Sequence, residues 1–124
     1  MKKQLRSYYP RRVQLSAQKQ VNYCGIRCCI EVLGGKWKLL IVAELLRFPK
    51  RYSELNTAIP EISEKMLTES LKALAHHNIV EVVKKDDLKI YQLTTYGRSV
   101  VPLLHTLFEW GENHIKLNYD KIFH

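Results

Sequence analysis

A chain of 124 residues suits a single domain with its own core, and 46% hydrophobic with 26% charged residues are ordinary globular values. No apolar run is long enough to span a bilayer. The basic N-terminus lacks the apolar stretch and small-residue cleavage site of a secretory signal, so a cytoplasmic protein is expected.

The net charge of +8 points to an anionic partner such as nucleic acid. It is unevenly placed: Lys2, Lys3, Arg6, Arg11, Arg12, Lys19 and Arg27 all precede Glu31, the first acid. The remainder is nearly balanced, with 13 basic against 12 acidic residues. Cys24, Cys28 and Cys29 are odd in number and clustered, a poor disulfide framework, so thiols are expected in a reducing compartment.

Residues 1–22, rich in Lys, Arg and Gln, read as a basic N-terminal arm, frayed as termini are unless tied down. The other reading is an arm that tracks phosphates or enters a minor groove. Residues 23–124 form the domain proper. Within it, residues 24–33 read as a short helix with Ile26, Cys29, Ile30 and Leu33 on its apolar stripe, stopped by Gly34-Gly35. Residues 36–48 read as a nearly all-round apolar helix containing Trp37, Leu39, Leu40, Ile41, Val42, Leu45 and Leu46, which belongs at the centre of a domain. Pro49 ends it, and residues 50–52 begin with a short extended piece.

Residues 52–59 form a short amphipathic helix closed by Pro60. Residues 63–77 form a longer one, capped by Ser63. Leu67, Leu71 and Leu74 share one i, i+4, i+7 row on it. The opposite side carries Lys65, Glu69, Lys72 and His76, with Thr68 on the shoulder. Two such helices joined by a tight turn make a helix-turn-helix, whose second helix can enter the DNA major groove.

After His77-Asn78 the period changes to near-alternation over residues 79–85 and 88–94, with a turn between them: a β-hairpin. A hairpin after a recognition helix is the wing of a winged helix, and Lys84, Lys85 and Lys89 cluster near its tip. Residues 95–123 read as one last helix, capped by Thr95. Its apolar stripe is wider than a small domain needs, which implies a partner chain. The expected fold is mainly α with a small β-hairpin. Ile26, Ile30, Leu104, Leu107, Phe108, Trp110 and Ile115 would form a dimer interface between terminal helices.

Specific wording narrows this further. Cys24 stands before Gly34-Gly35-Lys36-Trp37, followed by Leu39-Leu40-Ile41 and Glu44-Leu45. Arg51-Tyr52-Ser53-Glu54-Leu55, Ile59-Pro60-Glu61-Ile62-Ser63 and Lys65-Met66-Leu67-Thr68 come next. Tyr91-Gln92-Leu93-Thr94, Tyr96-Gly97-Arg98 and Glu109-Trp110-Gly111 complete the series. From Cys24 to His114 the chain resembles the HxlR family of bacterial winged-helix transcription regulators. That resemblance implies a homodimer on an operator, commonly a repressor, and in some members a cysteine at the position of Cys24 that senses oxidants or electrophiles. The chain departs from the family pattern in Gly25, where proline is usual, and in a wing tip shortened to residues 84–89. Glu69 stands where an amide is commoner, and Cys28 and Cys29 lie outside the pattern.

The expected function is therefore a sequence-specific regulator of double-stranded DNA, acting as a homodimer on a two-fold operator, with a small reactive effector. Lys65 and Lys72 would contact phosphate or guanine, and Thr68 and Glu69 would face base edges. Ser63 sits at the positive end of the same helix, where its unpaired N–H groups favour a phosphate. Lys50, Arg51 and the wing lysines would position the module. Cys24, near a helix start and beside Arg27, would hold more thiolate than usual. No cofactor is expected. The chain has no phosphate loop, nucleophile elbow or convincing carboxylate pair, which argues against an enzyme. Two alternatives remain. One is a metal-responsive regulator using cysteines with some of His76, His77, His105 and His114, although paired C-x-x-C spacing is missing. The other is a module that binds protein and not DNA.

Overall fold

The computed structural model describes residues 17–123, with side chains over residues 24–121. The expected basic arm therefore falls, for residues 1–16, outside the described residues. The chain divides into two units, Met1–Gly35 and Lys36–His124.

The first unit is helix α1, Ala17–Leu33. It begins earlier than the apolar stripe alone indicates, because Ala17, Gln18, Lys19 and Gln20 are good helix formers with no apolar face to betray them. Its end is as expected: the Gly34 N–H donates to the Ile30 carbonyl at 2.6 Å, and Gly35 takes a φ of 91°. A side chain at residue 34 would strike that same carbonyl. The three cysteines are free thiols, with Cys28 exposed and Cys24 and Cys29 half-buried.

The second unit holds helix α2 (Lys38–Arg47), strand β1 (Lys50–Arg51), helix α3 (Tyr52–Ala58) and helix α4 (Glu64–His76). Strands β2 (Val80–Lys85) and β3 (Leu88–Leu93), a 3-10 turn (Gly97–Val100) and helix α5 (Val101–Phe123) follow. The order within the antiparallel sheet is β1-β3-β2.

Helix α2 packs against α3, α4, α5 and β3. Only Ile41, Val42 and Leu45 are fully buried on it, whereas Leu40 is exposed and Trp37 and Leu39 are half-buried. The all-round burial expected for this helix is thus a one-sided burial. In this unit its neighbours cover a single face, and apolar residues on the others stay accessible. Leu55, Ile59 and Ile62 from the helix-turn-helix, with Leu67, Leu71 and Leu74 from α4, complete the same core together with Ile79, Val80, Leu93 and Val100.

Both ends of α4 are closed locally. Ser63 Oγ accepts from the Met66 N–H at 3.1 Å, the expected N-cap. At the other end the Asn78 N–H reaches the Ala75 carbonyl and the Ile79 N–H reaches that of Leu74, at 3.0 and 2.9 Å, while Asn78 takes a φ of 61°. This is a Schellman stop, with Leu74 and Ile79 supplying its hydrophobic contact. The chain then runs straight into β2.

The wing is a tight hairpin. Asp86 and Asp87 have φ values of 53° and 64°, as a two-residue type I′ turn requires. Val80 and Leu93 are paired and buried at the base, and Lys84 faces Lys89 near the tip.

The last helix starts later than expected. Thr95 and Tyr96 form a turn, the 3-10 segment intervenes, and α5 begins at Val101. The cap is Thr94 and not Thr95. The Thr94 hydroxyl donates to the Asn78 carbonyl at 2.6 Å and accepts from the Gly97 N–H at 2.7 Å. A Cβ at Gly97 would strike the Ile79 carbonyl, so only glycine allows this close crossing. Near its far end α5 is broken at Asn118, where φ is −128° and the side-chain amide donates to the His114 carbonyl at 3.2 Å.

Lys50 corrects one expectation outright. Its position in the sequence predicts a DNA contact, yet it is 6% exposed. Its Nζ donates to the Glu44 carbonyl at 2.7 Å, lies 3.6 Å from Glu44 Oε1 and sits 4.0 Å from the Phe48 ring centroid. This ammonium satisfies the end of α2, where a helix favours positive charge.

Two stability outcomes follow from these contacts. Thr94→Val keeps the shape but strands the Gly97 N–H and the Asn78 carbonyl, and should cost about 1–3 kcal/mol in a denaturant titration. Lys50→Met removes the donor over Glu44 and should cost about 1–2 kcal/mol in the same measurement, while the salt dependence of any DNA binding stays that of the parent chain.

Candidate nucleic-acid interface

The leucine row of α4 is buried, with Leu67 and Leu74 at 0% and Leu71 at 5% exposure. Burying each such side chain fully is worth roughly 1.5–3 kcal/mol. That fixes the rotation of α4 about its axis and turns the other side outward. Ser63, Lys65, Thr68, Glu69 and Lys72 are all exposed there, as is His76. Among the described residues neither Lys65 nor Lys72 has an ion-pair partner, so both ammonium groups remain for a ligand. The structure therefore brings this part of the expected site together on one convex face.

Ser63 closes the face at its positive end. Its oxygen is engaged by the Met66 N–H, but its own proton is left to donate outward. Arg51 lies at the start of α3 and is exposed. Its Nε is 3.6 Å from Glu54 Oε1, and its backbone N–H donates to the same oxygen at 2.7 Å. That backbone hydrogen bond, helped by the Arg51 charge, holds the Glu54 carboxyl below its usual pKa. The sign follows: whatever this cap contributes is present above the usual carboxylate range and is lost as pH falls through the lowered value.

The wing lysines are exposed. Lys84 and Lys89 are directly opposed across the ladder, an arrangement that is mutually repulsive without a counter-charge. Gln92 Nε2 donates to Glu81 Oε2 at 2.8 Å on the opposite face of the hairpin. Lys50 is not part of this surface, for the reason given above.

Tyr52 is the residue that sequence reasoning did not place in the site. Its hydroxyl donates to the Glu64 carbonyl at 2.8 Å and lies 2.8 Å from Thr68 Oγ1. It therefore ties α3 to the outward face of α4. Read along the chain, Tyr52 is only the first residue of a short helix, and nothing in its neighbours announces a contact 16 residues away.

Elsewhere, Ile26 and Ile30 are exposed on α1, at 61% and 62%. On α5, Leu107, Phe108 and Trp110 are exposed and Leu104 and Ile115 are half-buried. Leu117, 83% exposed, and Tyr119 extend the apolar residues of α5 beyond those expected. Leu117 stands seven residues after Trp110, a helical spacing that could have revealed it. Trp110 stacks on His114 with centroids 4.9 Å apart. Cys24 lies about two turns inside α1 and not near the helix start, as its expected position had it. Among the described residues no group of three or more His, Cys, Asp or Glu side chains is placed to hold a metal ion. No helix among them is long and apolar enough to cross a membrane.

Comparison with known proteins agrees with this geometry. The family model described as HxlR-like helix-turn-helix matches residues 32–119. The HTH-type transcriptional regulator YtcD of Bacillus subtilis is 36% identical over 109 residues, covering 86% of each chain. The crystal structure of the HTH-type transcriptional regulator ytcD superposes with a TM-score of 0.67 at 39% identity, over 73% of this chain and 96% of that one. The redox regulator HypR in its reduced form gives a TM-score of 0.66 at 33% identity, over 79% and 96%. Quinone-bound YodB from B. subtilis gives 0.62 at 34%, over 72% and 97%. An outward polar helix on a leucine-pinned scaffold, a wing behind it and these matches lead to one conclusion: the chain belongs to the HxlR-like helix-turn-helix family and is a winged-helix, DNA-binding transcriptional regulator, not an enzyme.

Proposed function

We propose that this regulator is a homodimeric repressor that reads a two-fold operator with helix α4. The observation that carries the reading is the outward face of α4: Ser63, Lys65, Thr68, Glu69 and Lys72 are exposed together while the leucines opposite are buried. Thr68 and Glu69 face base edges in the major groove. Lys65 and Lys72 contact flanking phosphate or guanine, and Ser63 donates to a phosphate at the helix start. Arg51, Lys84, Lys85 and Lys89 set the register through the backbone. Two-fold operators match two-fold proteins. The apolar residues left exposed on α1 and on α5 support association of two chains, Ile26 and Ile30 on the first helix and Leu107, Phe108 and Trp110 on the second. Such large side chains are costly to leave in water. The protein acts in the cytoplasm, where its DNA is.

The same dimer responds to oxidants or electrophiles through Cys24. Support comes from the free, half-buried thiol and from similarity to a redox regulator and to a regulator solved with a quinone bound. A small reactive effector is the implied ligand.

Selection of bound fragments from a random DNA pool tests the first part. It should return paired half-sites about one helical turn, or a multiple of it, apart; unpaired sites would remove the dimeric reading. Lys65→Ala should weaken operator binding and lower the slope of log K against log salt by about one. An unaltered slope and affinity would take Lys65 out of the interface. For the second part, quinone or peroxide should release the wild-type protein from its operator while Cys24→Ser stays bound, and equal release of the two would end the sensing role.

A further inference from the structure

Two oxygens lie 2.8 Å from Tyr52 Oη: the Glu64 carbonyl and Thr68 Oγ1. Each of these contacts needs a hydrogen between its oxygens. The carbonyl has none to give, so the phenolic proton goes to Glu64. The contact with Thr68 must then use the threonine's proton. The Thr68 hydroxyl is left with lone pairs only. Beside it, Glu69 is exposed and has neither hydrogen-bond nor ion-pair partner among the described residues. As a carboxylate it too can only accept.

We infer that the base-reading centre of α4 is an all-acceptor surface, set by Tyr52, and that it selects bases presenting an amino group in the major groove. Guanine shows only N7 and O6 acceptors there, and thymine shows an O4 acceptor beside its methyl. Adenine N6 and cytosine N4 are donors. Facing acceptors against guanine or thymine would leave desolvated lone pairs opposed, whereas cytosine opposite Glu69 and adenine or cytosine opposite Thr68 make hydrogen bonds. The lysines at 65 and 72 supply the donors at the edges of this surface and do not alter its centre. Tyr52 is a positioning residue: it touches no base and acts through the direction of one proton.

This inference rests on α4 being the operator-reading helix. Its test compares sequences enriched from a random duplex pool by the wild-type chain and by Thr68→Val, Glu69→Gln and Tyr52→Phe, with a thermal melt of each. Base positions whose preference changes in the first two variants are those that residues 68 and 69 read. In the wild type each of these should accept one orientation of its base pair, the one that puts the adenine N6 or cytosine N4 amino group against residue 68 or 69. Glu69→Gln, which adds a donor, should move its position from cytosine towards adenine. Tyr52→Phe frees the Thr68 proton, so the position read by Thr68 should also admit guanine or thymine, with discrimination there falling about tenfold.

A merely structural role for Tyr52 would lower affinity for every sequence alike and leave the preference intact, which would overturn the inference. Replacing the adenine or cytosine of a responding pair by purine or 2-pyrimidinone, which lack the major-groove amino group, should weaken wild-type binding about tenfold; no loss on that replacement would overturn the inference too, as would the lack of any responding position. If Tyr52→Phe melts too low to assay, the Thr68→Val and Glu69→Gln comparisons still decide it. Should the wild type enrich no sequence at all, it is the operator-reading function that fails, and the inference falls with it.

Discussion

The burial of Leu67, Leu71 and Leu74 in the core, where α4 packs against α2, is the constraint on which everything functional here depends. A helix has no preferred rotation of its own; a row of large apolar side chains imposes one. Once these three point inward, the residues between them must point outward, and Lys65, Thr68, Glu69 and Lys72 share the remaining face. The cap at Ser63 and the Schellman stop at Asn78 then limit α4 to the length the core can hold. The outward polar face of α4 is thus a consequence of packing on the other side of the same helix.

Around that core the structure spends its polar groups in two distinct ways. Thr94 is a buried knot: one hydroxyl joins the end of α4, through the Asn78 carbonyl, to the start of the C-terminal segment, through the Gly97 N–H. Lys50 is a buried cation that closes the end of α2. Neither group is free for a ligand, because in an apolar surrounding an unmet donor costs more than a bond gains. Lys65 and Lys72 on α4, and Lys84 and Lys89 opposed on the wing, are the reverse case. They are hydrated and unbalanced, which is the condition for binding a polyanion by releasing its counterions.

The chain's overall charge is a poor guide to this division. Most of the excess lies before Glu31, while the outward face of α4 mixes lysines with a glutamate and hydroxyl groups. Strong uniform charge attracts any duplex; donors and acceptors at set positions discriminate among them. On the proposed reading, a glutamate amid lysines lowers indiscriminate attraction and leaves a larger share of the binding to base edges.

Much of this was legible along the chain. The leucine row, the Ser63 cap, the Gly34-Gly35 stop and the Asp-Asp hairpin are local patterns, whose physics acts within about one turn or one strand pair, and they appear in the structure where the spacing puts them. The resemblance carried by residues 24–114 added the family, which the matched residues 32–119 bear out. What the spacing misread were questions of neighbourhood. Lys50 looks like any exposed lysine until Glu44 and Phe48 close over it. Thr95 looks as good a cap as Thr94 until the crossing of β3 past Ile79 selects the latter. Cys24 looks like a helix start until the weakly patterned residues before it prove helical. Sequence by itself determined which side of α4 is apolar and where α1 and α4 stop, because those follow from contacts between near neighbours in the chain. Only the tertiary structure decided which polar atoms are already spent, and hence that Tyr52 governs Thr68, because a hydrogen bond between residues 16 apart leaves no periodic trace in the order of amino acids.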